Sequence, residues 1–164
     1  MNIKTNYSTL RNFKNNHPKY LFNSLYTSDY NTLINQKSNS IGGLRTKNIY
    51  KSSEINKPLF TIITVCLNSE KTIEETILSV LNQTYDNIEY VIIDGGSSDN
   101  TLNIIKKYEN SLDLWISEKD DGIYNAINKA LKVSSGDIIG TLNSGDIYTK
   151  NALALVKKYF KNNI

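Results

Sequence analysis

Residues 58–164 predict an α/β fold, an open, mostly parallel sheet with helices on both faces and a Rossmann-like winding. Three observations predict it. Apolar, β-branched runs recur at Leu59–Leu67, Ile88–Ile93 and Ile138–Leu142; stretches of helical periodicity separate them; and a polar turn follows each run directly.

The first run begins immediately after Lys57-Pro58, where Pro58 disfavours helix at the residue before it. Its nearly continuous hydrophobicity is that of a strand covered on both faces. Asn68-Ser69 breaks the run. Thr72 followed by Glu75 has the form of a capping box, so a helix is expected over about 70–82, with Ile73, Ile77, Val80 and Leu81 facing inward. The run Ile88–Ile93 is a second buried strand that ends at Asp94. The same alternation predicts helices at about 99–108, 123–133 and 151–160, and strands at about 113–117 and 138–142. Crossovers through helices of this length imply right-handed connections and parallel strands.

With 164 residues, 39% hydrophobic and 21% charged, the chain has the size and composition of one globular domain with appendages. No apolar run approaches the roughly 20 residues that span a bilayer. The N-terminal residues lack the apolar stretch of a secretory signal, so a cytoplasmic location is expected. Cys66 is the only cysteine, which excludes an internal disulfide and a multi-cysteine metal cage; it reads as a small buried apolar residue. His17 is the only histidine and lies in a polar stretch, which argues against Ser-His-Asp and Cys-His catalysis.

Charge is unevenly distributed. Residues 1–57 carry nine Lys/Arg against two acids, and residues 58–164 carry ten against fourteen. The first segment, rich in Asn, Ser, Lys and Tyr and without sustained periodicity, is expected to be a poorly structured basic arm, and residues 58–164 to fold without it. Two readings of the arm stay open: a solvated tail, or attraction to anionic lipid head groups or another polyanion that places the protein peripherally on the inner face of the membrane. Nucleic acid is not an expected partner, because the folded part has no interleaved stacking aromatics and no recognised nucleic-acid module.

In an open parallel sheet, ligands bind outside the carboxyl ends of the strands. Three segments occupy such places: Thr64 to Ser69, Asp94 to Asp99, and Asn143 to Asp146. Asp94 ends a strand where it can accept hydrogen bonds from a base or ribose. Gly95 and Gly96 allow a tight turn, Ser98 is expected to cap the next helix, and Asp99 to favour its N-terminal dipole. Asp146 follows the strand Ile138–Leu142 among oxygen-bearing side chains, and Mg²⁺ or Mn²⁺ often takes only one or two protein carboxylates beside water and substrate phosphate. Asp137, at the other end of that strand and roughly 17 Å away at about 3.3 Å per residue, reads as part of a turn. Asn125, Asn128 and Lys129 occupy successive turns of one helix; they can line the site, with Lys129 meeting a phosphate, and a solvated face accounts for them equally well.

The ordered blocks Ile62–Asn68, Ser79–Tyr85, Val91–Thr101, Asp120–Lys129 and Gly136–Asp146 resemble the start of the family 2 glycosyltransferases of bacterial surface-polysaccharide synthesis. Gly42–Lys47 ahead of Lys57-Pro58-Leu59 is similar to a leader in some bacterial members. The resemblance implies a GT-A fold cut short after the DxD-type motif, a nucleoside-diphosphate sugar as donor, and a divalent metal, Mn²⁺ or Mg²⁺, near that motif. Carried over by position, Thr64, Val65, Cys66, Asn68 and Asp94 contact the nucleoside and Asp146 meets the metal-diphosphate; Gly95, Asn128, Lys129, Asn143 and Ser144 complete the expected nucleotide-sugar contacts. Two positions depart from the pattern. Gly95 stands where the second acid of an Asp-Asp pair is common, and Gly145 where an acid usually precedes Asp146.

Members of the family continue into an acceptor-binding half that supplies the catalytic base, so no residue here is assigned that role; Asp120 or Asp121 is a substitute of the right chemistry. A fragment, a truncated reading frame and one half of a split enzyme all fit. The expected function is sugar transfer from a nucleoside-diphosphate sugar to a saccharide or lipid-linked acceptor; the alternative is a non-catalytic nucleotide-sugar-binding or regulatory module.

Overall fold

The computed structural model describes residues 11–12 and 40–160. In chain order the strands are β1 (Arg11–Asn12), β2 (Ser40–Gly42), β3 (Ile49–Tyr50), β4 (Phe60–Cys66), β5 (Ile88–Asp94), β6 (Leu114–Ser117) and β7 (Ile138–Thr141). The helices are α1 (Ile73–Leu81), α2 (Thr101–Lys107), α3 (Ile123–Val133) and α4 (Ala152–Phe160), with a 3₁₀ turn at Leu44–Lys47.

Five strands form one sheet in the order β2-β6-β5-β4-β7. β6, β5, β4 and β7 run parallel, and β2 is antiparallel to β6 at one edge. β4 and β5 are buried along their whole length, which is why they read as unbroken apolar runs. Alternate residues serve opposite faces. Phe60, Ile62, Tyr90 and Ile92 pack with Ile73, Ile77 and Val80 of α1, Ile105 of α2 and Leu153 of α4. Ile63, Val65, Val91, Ile93, Leu114 and Ile116 pack with Ala126, Ala130 and Val133 of α3. Each fully buried Ile or Val contributes about 1.5–3 kcal/mol over an exposed one, so the two apolar layers hold the four parallel strands in place.

The segment ahead of Pro58 departs from expectation. Residues 40–57, assigned by composition to a loose arm, belong to the fold. β2 extends the sheet, and Gly42 fits there because a Cβ would stand 2.5 Å from the Trp115 indole nitrogen. Arg45 is buried against Glu89 and also donates to the Val133 carbonyl and Ser135 Oγ. Lys51 is buried against Asp113 and donates to the Ile88 carbonyl. Two cations that look solvated in the sequence are therefore anchors under the amino ends of β5 and β6, and the boundary drawn at Pro58 falls inside the folded unit. Residues 1–10 and 13–39, with Lys4, Lys14, Lys19 and Lys37 of the positive charge expected to meet an anionic membrane, lie outside the described residues. Among the described residues, no helix is long and apolar enough to cross a membrane.

Two helix starts also differ. Thr72 precedes α1 without a side-chain cap bond; its hydroxyl reaches the Ser69 carbonyl and Ser144 Oγ instead. α2 begins at Thr101, and the acceptor for its first N–H is Asp99, not Ser98.

Candidate functional site

Register aligns the strand ends that make the mouth of the sheet. Cys66 of β4 pairs with Asp94 of β5, which pairs with Ser117 of β6. The chain after β7 stays beside β4, with Leu142 N–H on the Ile63 carbonyl and Ser144 N–H on the Val65 carbonyl. Four turns therefore converge: 67–70, 94–100, 118–122 and 143–146.

The first two turns are laced together. Asn68 takes a left-handed backbone (φ 49°), a conformation Asn tolerates better than most residues. Its N–H donates to Ser97 Oγ at 2.7 Å, and its Oδ1 accepts from Ser98 N–H at 2.9 Å. Asp99 Oδ2 accepts from Glu70 N–H, and Glu70 Oε2 accepts from Asn100 N–H. Ser69 N–H donates to Thr101 Oγ1. These bonds fix a rigid floor between β4 and β5.

Asp94 is buried beneath that floor. Its Oδ1 accepts from Ser97 Oγ, and its Oδ2 accepts from Ser97 N–H at 3.1 Å and Ser117 Oγ at 2.6 Å. Much of its acceptor capacity is thus spent holding the turn. Thr64 is also turned inward, 3.0 Å from the Tyr90 hydroxyl, so its side chain does not reach the mouth. Val65 is buried on the α3 side and offers its carbonyl to Ser144. Cys66 is buried with Sγ 3.8 Å from Asp94 Oδ1; burial, followed by the Asp94 charge, pushes its thiol far above the usual range. Of the residues carried over from β4 and its end, only Asn68 is exposed.

The third turn lies across the second. Glu118 N–H donates to the Asp94 carbonyl, and the Asp120 carboxyl sits directly over Gly95. Lys129, expected at a phosphate, is held by Glu118 at 2.6 Å with both side chains largely covered. Asn128 is exposed on α3.

The fourth turn carries Asp146. Thr76, fully buried on α1, accepts from Gly145 N–H at 3.0 Å and donates to the Asp146 carbonyl at 2.9 Å. Ser144 Oγ meets Thr72 Oγ1, and the Asn143 carbonyl accepts from Asp146 N–H. The backbone is pinned while the Asp146 carboxylate stays exposed, with no hydrogen bond or ion pair to any described residue. Thr76 was not singled out in the sequence, although a hydroxyl between Ile73 and Ile77 on the inward stripe of a helix is a visible signal.

Among the described residues no group of three or more His, Cys, Asp or Glu could hold a metal by itself. A single free carboxylate suits an ion that brings water and substrate oxygens as its other ligands, so the donor set fits Mg²⁺ or Mn²⁺ carried by a diphosphate. Asp137 sits at the other end of β7, where its Oδ2 accepts from Leu59 N–H at 2.8 Å and from Ser53 Oγ.

Comparison with known proteins gives concordant matches. The model of Glycosyl transferase family 2 matches residues 61–163. An Escherichia coli UDP-Glc:alpha-D-GlcNAc-diphosphoundecaprenol beta-1,3-glucosyltransferase, WfgD, is 40% identical over 108 residues, 65% of this chain and 43% of that protein. S. aureus TarS 1–349, solved in complex with UDP-GlcNAc, superposes with a TM-score of 0.58 at 29% identity, over 63% of this chain and 31% of that one. A mannosyltransferase from Pyrobaculum calidifontis has the same fold, with a TM-score of 0.60 at 20% identity over 85% of this chain and 40% of its own. This chain therefore spans less than half the length of each of these three proteins.

Proposed function

The chain belongs to Glycosyl transferase family 2, and from that premise we propose that its mouth binds a nucleoside-diphosphate sugar for transfer to a saccharide or lipid-linked acceptor. A uridine nucleotide is the favoured donor, supported by the likeness to TarS bound to UDP-GlcNAc and to a glucosyltransferase that uses UDP-Glc. A lipid-diphosphate-linked saccharide is the favoured acceptor, on the likeness to WfgD.

The observation that carries this reading is Asp146: an exposed, unpartnered carboxylate on a turn whose backbone Thr76 fixes. A carboxylate and a diphosphate repel, so a group placed this way is suited to a cation between them. A bound Mg²⁺ or Mn²⁺ would supply charge stabilisation to the departing nucleoside diphosphate. The chain's own residues provide placement. The laced turns at Asn68–Ser98 and Glu70–Asn100 set a fixed floor for the nucleoside, and buried Asp94 holds that floor through Ser97 and Ser117. Such pre-formed positioning lowers the entropic cost of bringing donor and acceptor together.

The test uses radiolabelled UDP-glucose and UDP-N-acetylglucosamine with Mn²⁺, followed by addition of a lipid-diphosphate-linked saccharide. Metal-dependent retention of a donor and appearance of labelled lipid support the reading. Retention without turnover on any acceptor identifies a binding module, and failure to retain either donor at millimolar concentration overturns the nucleotide-sugar assignment.

A further inference from the structure

The glycine at position 95 faces a carboxyl group that lies 25 residues along the chain. Its backbone is not left-handed, so no conformational demand excludes a side chain there. The obstacle is steric: the three atoms nearest a Cβ built on Gly95 all belong to the Asp120 carboxyl group, with Oδ2 at 2.8 Å. Asp120 is held in that position from its own loop, because its Oδ1 accepts from Gly122 N–H at 2.9 Å. Its Oδ2 has no hydrogen-bond partner among the described residues, although the side chain is half-buried at the mouth.

We propose that Asp120 is the carboxylate that reads the nucleoside, supplied by the β6–α3 loop in the place that an acid at position 95 would reach from the β5–α2 turn. The proposal rests on the nucleotide-sugar reading above. A partly desolvated carboxylate oxygen with no protein donor is suited to an N–H or O–H of the ligand. On a nucleoside diphosphate those donors are the N–H on the pairing edge of a base such as uracil and the hydroxyls of the ribose. Cytosine offers a ring acceptor at the corresponding edge position and would be disfavoured by a carboxylate facing the base.

The roles of the two positions are therefore exchangeable. Asp120→Asn keeps the oxygen that accepts from Gly122 but replaces the ligand-facing oxygen with a donor, so folding should be unchanged while nucleoside binding is weakened. Gly95→Asp alone should clash with Asp120. Gly95→Asp combined with Asp120→Gly should return an acid to the same space.

Calorimetric titration of the full chain with UDP, CDP and pyrophosphate, each with Mn²⁺, tests this, with thermal melting as the control for folding. The expected result for Asp120→Asn is UDP binding weakened about 10-fold or more, as for loss of a charged hydrogen bond, with pyrophosphate binding and melting little changed. The double variant should recover UDP binding over Asp120→Gly alone. A loss confined to UDP assigns the carboxylate to the base, and equal losses for UDP and CDP assign it to the ribose. Unchanged UDP affinity in Asp120→Asn, an equal loss for pyrophosphate, or no recovery in the double variant overturns the proposal while leaving the nucleotide site intact. Absence of binding by the unmodified chain to all three ligands removes both.

Discussion

Lys51 Nζ lies 2.7 Å from Asp113 Oδ2, with the two side chains only 4% and 1% exposed. This contact and the buried Arg45–Glu89 pair join the segment before Pro58 to residues that lie 62 and 44 positions further on, at the amino ends of β6 and β5. Removing one partner of a buried pair leaves a charge without compensation and costs about 3–5 kcal/mol. Arg45→Ala and Lys51→Ala should each lower unfolding free energy by that order in chemical denaturation. Truncation at Pro58 should cost more, since it also bares the β6 edge. A truncated domain as stable as the full chain would contradict the anchoring role.

Acid should act on the same region through Glu89. Burial raises its pKa, but the Arg45 charge and hydrogen bonds from Ser135 and Thr61 outweigh burial and hold the carboxyl below its ordinary 4.5. A folded-state value below the unfolded one gives stability that is fully present above about pH 4.5 and lost as pH falls through the depressed value. Asp113 works the other way, because burial holds it above its ordinary value in spite of Lys51, and protonating it on acidification favours the fold. Denaturation midpoints between pH 7 and pH 3 should fall less steeply in Glu89→Gln, though from a lower starting point. Parallel pH profiles for the two proteins would show that Glu89 is not the responsive group.

The sequence made the central sheet legible because β4 and β5 are covered on both faces and β7 follows the same apolar pattern, while α1 and α3 show a one-sided stripe. Residues 40–57 were opaque for a physical reason. Arg45 and Lys51 look solvated until Glu89 and Asp113 are brought beside them, and no local periodicity announces a partner that distant. The same reason hid Lys129, whose reach to Glu118 closes across a loop. Strand-end position alone located Asp146 and Asn68 at the mouth. It could not show that Thr64 and Asp94 point inward, because which way a side chain at a strand end turns depends on Tyr90, Ser97 and Ser117.

Thr76 should behave as a positioning residue for the Asp146 turn. Thr76→Val keeps shape but leaves Gly145 N–H and the Asp146 carbonyl without their partner, at a stability cost of about 1–2 kcal/mol. Metal-assisted binding of a nucleoside diphosphate should weaken several-fold, and metal-free binding should not change. Equal effects with and without metal would point to general loosening of the mouth.

Cys66 should be inert in the native protein. Burial and the neighbouring Asp94 charge both oppose the thiolate, which is the reactive form. Iodoacetamide at pH 8 should label Cys66 only after denaturation, as followed by mass spectrometry. Rapid native labelling would mean that the end of β4 opens more readily than its packing implies.

The most direct test is calorimetric titration of a nucleoside diphosphate, with and without Mn²⁺ or Mg²⁺, into the unmodified chain, Asp146→Asn and Asp137→Asn. Asn is nearly the size of Asp but a weaker cation ligand, so the substitution reports metal anchoring more than packing. Asp137 provides the internal contrast, since it binds Leu59 N–H at the opposite end of β7. The metal should tighten binding in the unmodified chain and in Asp137→Asn, and most of that gain should vanish in Asp146→Asn. Metal-independent binding, or equal losses from the two substitutions, would contradict the assignment of the strand-end mouth as a metal-assisted nucleotide-sugar site.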